Sequence, residues 1–110
     1  NLSERGVKLK KALAMAKIAI EKDPENASYL DTIGWVYFKL GKYKSAKKFI
    51  EKSLSINGSS AVVLEHLGDI YKAMDDYDNA IEYWNKALEI NPGNKQLIEK
   101  RNKLKNTANK

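Results

Sequence analysis

A single histidine flanked by carboxylates is the arrangement in this chain that comes nearest to catalytic or metal-binding chemistry. His66 follows Glu65 and lies one helical turn before Asp69, so these acids could orient the imidazole or share a weakly bound metal ion with it. The 110 residues contain no second histidine and no cysteine, and there is no glycine-rich phosphate loop. Ser59 and Ser60 have no base placed to activate a hydroxyl. We therefore interpret His66 as a polar surface residue and expect no enzyme, no metal and no cofactor.

Carboxylates recur along the chain at an interval of 34 residues, at Asp31, Glu65 and Glu99. If the fold repeats with the same period, these side chains lie one above another, and Asp69 adds a fourth acid nearby. Such a ladder would attract a basic partner. Acids in the first turns of a helix also interact favourably with the helix dipole, by about 0.3 to 1 kcal/mol. Both the binding and the purely structural interpretation therefore stay open.

Two large aromatic residues, Trp35 and Phe38, fall on what helical periodicity predicts to be a solvent-facing stripe. There they add apolar area that the fold does not need, and an exposed tryptophan is a frequent interface hot spot. The competing interpretation, that Trp35 fills the core, has equal weight. Trp84 differs, because it falls on the packing face of its own helix and is predicted to be buried.

The elements that must position these residues repeat with the same interval. Each unit has two runs of apolar residues at helical spacing, interrupted at Gly41-Lys42 in one unit and at Asp75-Asp76 in the next. Each unit is therefore predicted to be a helical hairpin. Asn26, Ser60 and Asn94 are 34 residues apart and each precedes a helical run, where Asn and Ser are favoured N-caps. Small residues stand where the two helices must approach closely, at Gly34, Ala46, Gly68, Ala80 and Ala87.

These patterns resemble the tetratricopeptide repeat family. The residues that carry the resemblance are Leu30, Ile33-Gly34, Tyr37, Gly41, Tyr43 and Ala46 in one unit and Leu64, Leu67-Gly68, Tyr71, Tyr77, Ala80-Ile81, Ala87-Leu88 and Pro92 in the other. Ala12, Ala16, Ala19-Ile20 and Asp23-Pro24 are similar to the second helix and exit turn of a preceding repeat. Arg101-Asn102 stand where a further repeat would have Leu-Gly, so the last helix resembles a C-terminal cap.

The resemblance implies an all-α solenoid of helical hairpins, wound as a right-handed superhelix. A single domain would contain a half-repeat over residues 1–26, repeats over 27–60 and 61–94, and a capping helix with a tail over 95–110. The closing repeats also resemble those of long bacterial proteins of the family. Asn1-Leu2-Ser3 has neither an initiator methionine nor a signal-peptide apolar region, so we expect a piece of a longer protein, whose location is undetermined with the cytoplasm favoured.

In this family the first helices line the concave side of the array, which implies a scaffold that binds a peptide or a helical segment in a groove. The groove residues implied here are Asp31, Trp35, Phe38, Glu65, His66, Asp69, Lys72, Glu99 and Lys103. Some relatives capture a C-terminal carboxylate with Lys and Asn at these positions, whereas acids stand there in this chain. We therefore expect an apolar and basic partner and not a chaperone tail.

The net charge of +6 is unevenly distributed, since residues 1–60, 61–94 and 95–110 carry +6, −5 and +5. Electrostatic binding of nucleic acid is the alternative function. The basic clusters that it would use are Lys8, Lys10, Lys11, Lys17 and Lys22, and Lys100, Arg101, Lys103 and Lys105. They lack the interleaved aromatics of a base-stacking platform.

No apolar run approaches the roughly 20 residues that a membrane span requires. Self-association is expected if the apolar residues of the first helix, Val7, Leu9, Leu13 and Ala16, are left partly uncovered.

Overall fold

Six α-helices follow one another along the part of the chain that the structure, a computed structural model, describes, which is residues 2–108. They are α1 (Leu2–Lys22), α2 (Ala27–Lys39), α3 (Tyr43–Ile56), α4 (Ala61–Ala73), α5 (Tyr77–Ile90) and α6 (Lys95–Ala108). The chain divides between Asn57 and Gly58 into two compact units, the first with α1 to α3 and the second with α4 to α6. In each unit two consecutive helices form a hairpin, α2 with α3 and α4 with α5. The end of the predicted tail, residues 109–110, lies outside the described residues.

The first helix of each hairpin and the last helix of the chain begin at the predicted N-caps. The side-chain oxygen of Asn26 accepts a hydrogen bond from the backbone N–H of Tyr29 at 3.0 Å, and Ser60 and Asn94 cap α4 and α6 in the same way, at 3.3 and 3.1 Å. Each cap satisfies one of the backbone donors that a helix leaves unpaired at its start. The predicted starts of the three helices are therefore confirmed.

Both hairpins turn through one residue with a left-handed backbone. Gly41 has φ of 78° and Asp75 has φ of 61°, and Asp is one of the few residues other than Gly that enter this region at modest cost. The following residue closes the turn, because Lys42 N–H bonds to Tyr37 O and Asp76 N–H to Tyr71 O, both at 2.9 Å. This pattern terminates a helix by satisfying its last carbonyl groups.

Glycine lets the two helices of each hairpin approach closely. A Cβ atom at Gly34 would lie 2.7 Å from Ile50 Cδ1 and 3.1 Å from the backbone oxygen of Ala46. Gly68 is more tightly enclosed, since a Cβ there would overlap the Trp84 ring and lie 3.0 Å from the Ala80 oxygen. The Trp84 side chain has 0% exposure, which confirms its predicted burial.

Tyrosines beside these contacts stack across each hairpin. Tyr37 lies 5.5 Å from Phe49 and Tyr71 lies 5.6 Å from Tyr83, measured between ring centroids. Ser53 stands where the second hairpin has Ala87, and its buried hydroxyl donates a hydrogen bond to the backbone oxygen of Ala27 at 2.7 Å. The hydroxyl group of Ser53 is therefore satisfied inside the first hairpin.

The remaining helices, α1 and α6, each pack on a hairpin of their own unit. α1 packs on α2 with Ala16 buried and with Lys17 Nζ 5.7 Å from the centre of the Tyr37 ring. α6 packs on α5 through the buried side chains of Leu97 and Leu104. Arg101, which stands where a repeat would have leucine, donates to Asn85 Oδ1 at 2.9 Å. A polar contact therefore takes the place of an apolar one at this position.

Replacing Gly68 by Ala should lower the free energy of unfolding by about 1 to 3 kcal/mol, because the added methyl group overlaps a fully buried indole and lies against the Ala80 backbone oxygen. Gly6→Ala on α1 is the matched control, since a Cβ there meets nothing within 4 Å. It should raise the free energy by about 0.5 to 1 kcal/mol through helix propensity. Urea denaturation followed by circular dichroism measures both, and equal effects of the two variants would contradict the close-approach account.

Candidate partner-binding surfaces

The first unit presents a row of aromatic rings at the end of α2 and the start of α3. Trp35 and Phe38 are stacked, with ring centroids 4.9 Å apart and planes inclined by 14°. Phe38 in turn lies 5.6 Å from Tyr43 in a tilted arrangement. All three rings are partly exposed, so they form a continuous apolar surface. We refer to Trp35, Phe38 and Tyr43 as the aromatic row.

Charged groups border this row. Lys39 Nζ lies 4.9 Å from the centre of the Trp35 ring, which places a cation against the indole face. Asp31 precedes Trp35 by four residues on α2 and is half-buried, so its side chain projects from the same flank of the helix. The predicted residues Asp31, Trp35 and Phe38 therefore lie together on one side of α2.

In the second unit, two of the predicted acids bind a lysine of α6. Lys100 Nζ lies 2.9 Å from Glu65 Oε2 and 2.7 Å from Asp69 Oδ1, and Asn94 Nδ2 donates to the other Glu65 oxygen at 3.2 Å. Trp84 Nε1 donates to Asp69 Oδ1 at 3.1 Å, and Lys100 Nζ lies 5.0 Å from the centre of the Trp84 ring. We call these five residues the Lys100 network.

The Lys100 network joins α4 to α6, because the ammonium group of Lys100 on α6 forms ion pairs with two carboxylates of α4. Burial alone would lower the pKa of Lys100, but hydrogen bonds to Asp69 and Glu65 and the negative charge of both acids outweigh it and raise the pKa above its ordinary value of 10.5. Glu65 and Asp69 therefore already have a cationic partner within the chain. Periodicity in the sequence indicated the acids but gave no sign that Lys100 and Asn94 would reach them.

An open cleft of about 630 Å³ lies beside this network, along α6 and the end of α4. Its lining residues are Lys72, Gln96, Glu99, Lys100, Asn102, Lys103 and Asn106. The predicted residues Lys72, Glu99 and Lys103 therefore come together in one cleft. Lysines outnumber the single glutamate among these side chains, and the others end in amide groups, so the cleft is a basic, hydrogen-bonding surface.

His66 is half-buried on α4 and does not line the cleft. Glu99 lies in the cleft, whereas Glu65 is held in the Lys100 network, and Asp31 belongs to the first unit. The proposed stacking of the three acids as one ladder stays a prediction.

In the part of the chain that is described, no three His, Cys, Asp or Glu side chains converge as a metal site would require. Among residues 2–108, none of the helices has both the length and the apolarity needed to cross a bilayer.

Two consecutive helical hairpins with the same internal contacts place the chain among the all-α repeat proteins. The tetratricopeptide repeat family matches twice, over residues 27–60 and over residues 61–94. The chain therefore belongs to the tetratricopeptide repeat family, whose members typically serve as non-catalytic scaffolds. No curated protein sequence matches it significantly.

Solved structures support the same fold. The first tetratricopeptide repeat domain of Spaghetti (RPAP3), bound to the HSP90 peptide SRMEEVD, is 19% identical in sequence to this chain and superposes with a TM-score of 0.90. The match covers 100% of this chain and 89% of that one. The second domain of human RPAP3, in complex with the HSP70 peptide SGPTIEEVD, is 24% identical with a TM-score of 0.82, covering 92% and 84%. A tetratricopeptide repeat protein of the thermophile Thermus thermophilus, TTC0263, is 27% identical with a TM-score of 0.82, covering 92% of this chain and 52% of that one.

The Lys100 network should make stability depend on pH at the alkaline end. Because the pKa of Lys100 is raised in the folded state, its stabilisation is fully present below the unfolded-state value and is lost as pH rises through the folded-state value. Lys100→Met should lower the free energy of unfolding by about 1 to 2 kcal/mol at pH 8, and the difference from wild type should shrink above about pH 10.5.

Urea denaturation of both proteins between pH 8 and pH 11 tests this expectation. Lys103→Met is the matched control, because it removes an exposed lysine of the same helix that takes no part in the Lys100 network. A difference between wild type and Lys100→Met that stays constant up to pH 11 would show that the charge of Lys100 does not stabilise the fold.

Proposed function

We propose that the chain is a non-catalytic interaction scaffold that binds a peptide or a helical segment of a partner protein. The contacts are made by the outward faces of the first helices, the surfaces that line the concave groove in this family. The proposed contact residues are Asp31, Trp35, Phe38, Glu65, His66, Asp69, Lys72, Glu99 and Lys103. The single observation that carries the proposal is the aromatic row of the first unit.

Comparison of the two hairpins supports a binding role for the aromatic row, because residues that differ between them are not required for hairpin packing. Thirty-four residues after Trp35 and Phe38, the second hairpin has Asp69 and Lys72. That hairpin makes the same glycine contact and the same tyrosine stack without aromatic residues at these positions. Trp35 and Phe38 are therefore not required by the architecture, and partly exposed rings that the fold does not need are typical of binding surfaces.

The chemistry of the row favours an apolar partner segment that carries a Lys or Arg side chain. The rings offer a flat apolar surface, and the indole face of Trp35 already accepts the ammonium group of Lys39. Asp31 on the same flank adds a carboxylate for which a basic side chain is complementary. The cleft of the second unit differs, since Lys72 and Lys103 line it, and it suits backbone carbonyl groups or an acidic side chain of a partner.

Relatives whose solved structures contain chaperone peptides support a peptide partner in general. For this chain we disfavour the chaperone tail itself. Asp31, Trp35 and His66 occupy the first-helix stripe with which some members of the family bind a terminal carboxylate, and the ammonium group of Lys100 is already bound to Glu65 and Asp69. An acid in place of a cation would repel the terminal carboxylate.

Nucleic acid is the alternative partner, but the lysines of α1 do not form one stripe. With about 100° of rotation per residue, Lys8, Lys11 and Lys22 fall on one side of the helix and Lys10 and Lys17 on another. Lys17 also lies over the Tyr37 ring. A continuous basic surface is what phosphate backbones favour, so the arrangement of lysines on α1 disfavours nucleic acid at that helix.

Replacing Trp35 by Ala should weaken partner binding at least ten-fold while leaving the helical content unchanged, since the side chain is partly exposed and lies outside the hairpin core. The measurement is capture from a lysate that contains the partner, followed by titration of the identified segment. Tyr29→Ala is the matched control, because it removes another exposed aromatic of α2, on the opposite side of the helix, and it should bind like wild type.

Two results would contradict the proposal. Equal loss of binding in Trp35→Ala and Tyr29→Ala would mean that the aromatic row is not the contact surface. Capture that survives Trp35→Ala but disappears after nuclease treatment, and weakens when Lys8, Lys10 and Lys11 are changed to Gln, would assign the function to nucleic acid.

A further inference from the structure

The turns that follow α3 and α5 have nearly the same backbone conformation but differ in one residue. Asn57 ends α3 with φ of −136° and ψ of 91°, and Asn91 ends α5 with φ of −128° and ψ of 79°. Both asparagines are exposed. Asn91 precedes Pro92, whereas Asn57 precedes Gly58. The first turn therefore has a backbone N–H group directly after its asparagine, which the proline ring removes from the second turn.

An asparagine that precedes a glycine can react with its own main chain. The backbone nitrogen of Gly58 attacks Cγ of Asn57 and loses its proton, the side-chain amide takes up a proton and leaves as ammonia, and a five-membered cyclic imide results. Water then opens the imide. Opening at Cγ gives aspartate, and opening at the main-chain carbonyl gives isoaspartate, in which the main chain runs through Cβ and Cγ. Glycine favours the attack because it has no Cβ to hinder the nitrogen or to restrict the backbone.

The structure places the reacting pair in an accessible turn. Asn57 and Gly58 are exposed and lie between the end of α3 and the start of α4. The reaction needs water at the imide and a main chain that rotates until the nitrogen meets Cγ. An exposed turn that contains glycine provides both conditions.

Other asparagines of the chain lack this combination, because Asn57–Gly58 is the one Asn-Gly pair in the sequence. Asn79 precedes Ala80 within α5, where the Ala80 N–H is bonded to the backbone oxygen of Asp76 at 3.1 Å. The helix thereby engages the nitrogen and fixes the main chain. Three further asparagines also lie within helices and precede larger residues, namely Asn85, Asn102 and Asn106.

We propose that Asn57 is a site of spontaneous deamidation in the folded protein, with isoaspartate among its products. The chain divides into its two compact units at the Asn57–Gly58 bond, so isoaspartate lengthens the covalent link between the units by one main-chain atom. The new carboxylate follows the last residue of α3, where the partial negative charge of the helix end repels it. The modification thus alters the junction of the units and leaves the aromatic row and the Lys100 network chemically unchanged.

Incubation of the folded chain in oxygen-18-labelled water tests the proposal. Each opened imide takes up one oxygen atom from the water, so peptide mapping by mass spectrometry assigns the label to a residue, and electron-transfer fragmentation separates isoaspartate from aspartate. Asn57 should convert at least about ten-fold faster than Asn91, because Asn91 shares its exposure and backbone angles but has no N–H group after it.

Two substitutions of Gly58 provide matched variants. Gly58→Pro gives the first turn the Asn-Pro sequence of the second and removes the attacking N–H group, so it should abolish conversion of Asn57. The variant should keep the fold, since Asn91 precedes a proline with nearly the same backbone angles. Gly58→Ala keeps the N–H group but adds a Cβ, and it should slow the conversion by about ten-fold.

Three outcomes would overturn the proposal. One is an Asn57 that converts no faster than Asn91 in the folded chain. Another is conversion that persists in Gly58→Pro, which would mean direct hydrolysis of the side-chain amide without an imide. The third concerns the destabilised variant Gly68→Ala. A conversion rate that rises there in proportion to the unfolded fraction would assign the reaction to the unfolded chain and show that the folded turn protects Asn57.

Discussion

The close approach of two helices at a glycine is the constraint on which each hairpin depends. Ile50 in the first unit and Trp84 in the second occupy the space that a Cβ at Gly34 or Gly68 would need. At this separation Tyr37 stacks on Phe49 and Tyr71 stacks on Tyr83. The left-handed residues Gly41 and Asp75 then return the chain within a few residues, so that the second helix can lie this close.

The side chain that packs against the glycine of each hairpin, Ile50 or Trp84, differs in whether it also bonds to the surface of the first helix. Trp84 brings a buried N–H group that needs an acceptor, and it donates to the Asp69 carboxylate at 3.1 Å and to the backbone oxygen of Glu65 at 3.3 Å. Ile50 has no polar atom in its side chain, so the first hairpin needs no acceptor at the position equivalent to Asp69. Trp35 occupies that position instead. In the second hairpin this position therefore holds a carboxylate bonded to the core indole, and in the first hairpin it holds a ring of the aromatic row.

Periodicity predicted the parts of the fold that are local and repeated. The N-caps at Asn26, Ser60 and Asn94 depend on one side chain and the next three residues, and the burial of Trp84 follows from its helical face. The Lys100 network could not be predicted in this way. Its bonds to Glu65 and Asp69 join residues 29 to 35 positions apart, and a long lysine side chain reaches acids that no spacing rule relates to it.

The same network explains why counting charges describes the second unit poorly. Residues 58–110 contain eight basic and eight acidic residues, which suggests a neutral surface. Glu65 and Asp69 are engaged with Lys100, and most of the other acids belong to α5 and the turn before it. The cleft along α6 therefore retains an excess of lysine over glutamate. The fold separates the charges by helix, and this separation decides which groups of a partner each surface can accept.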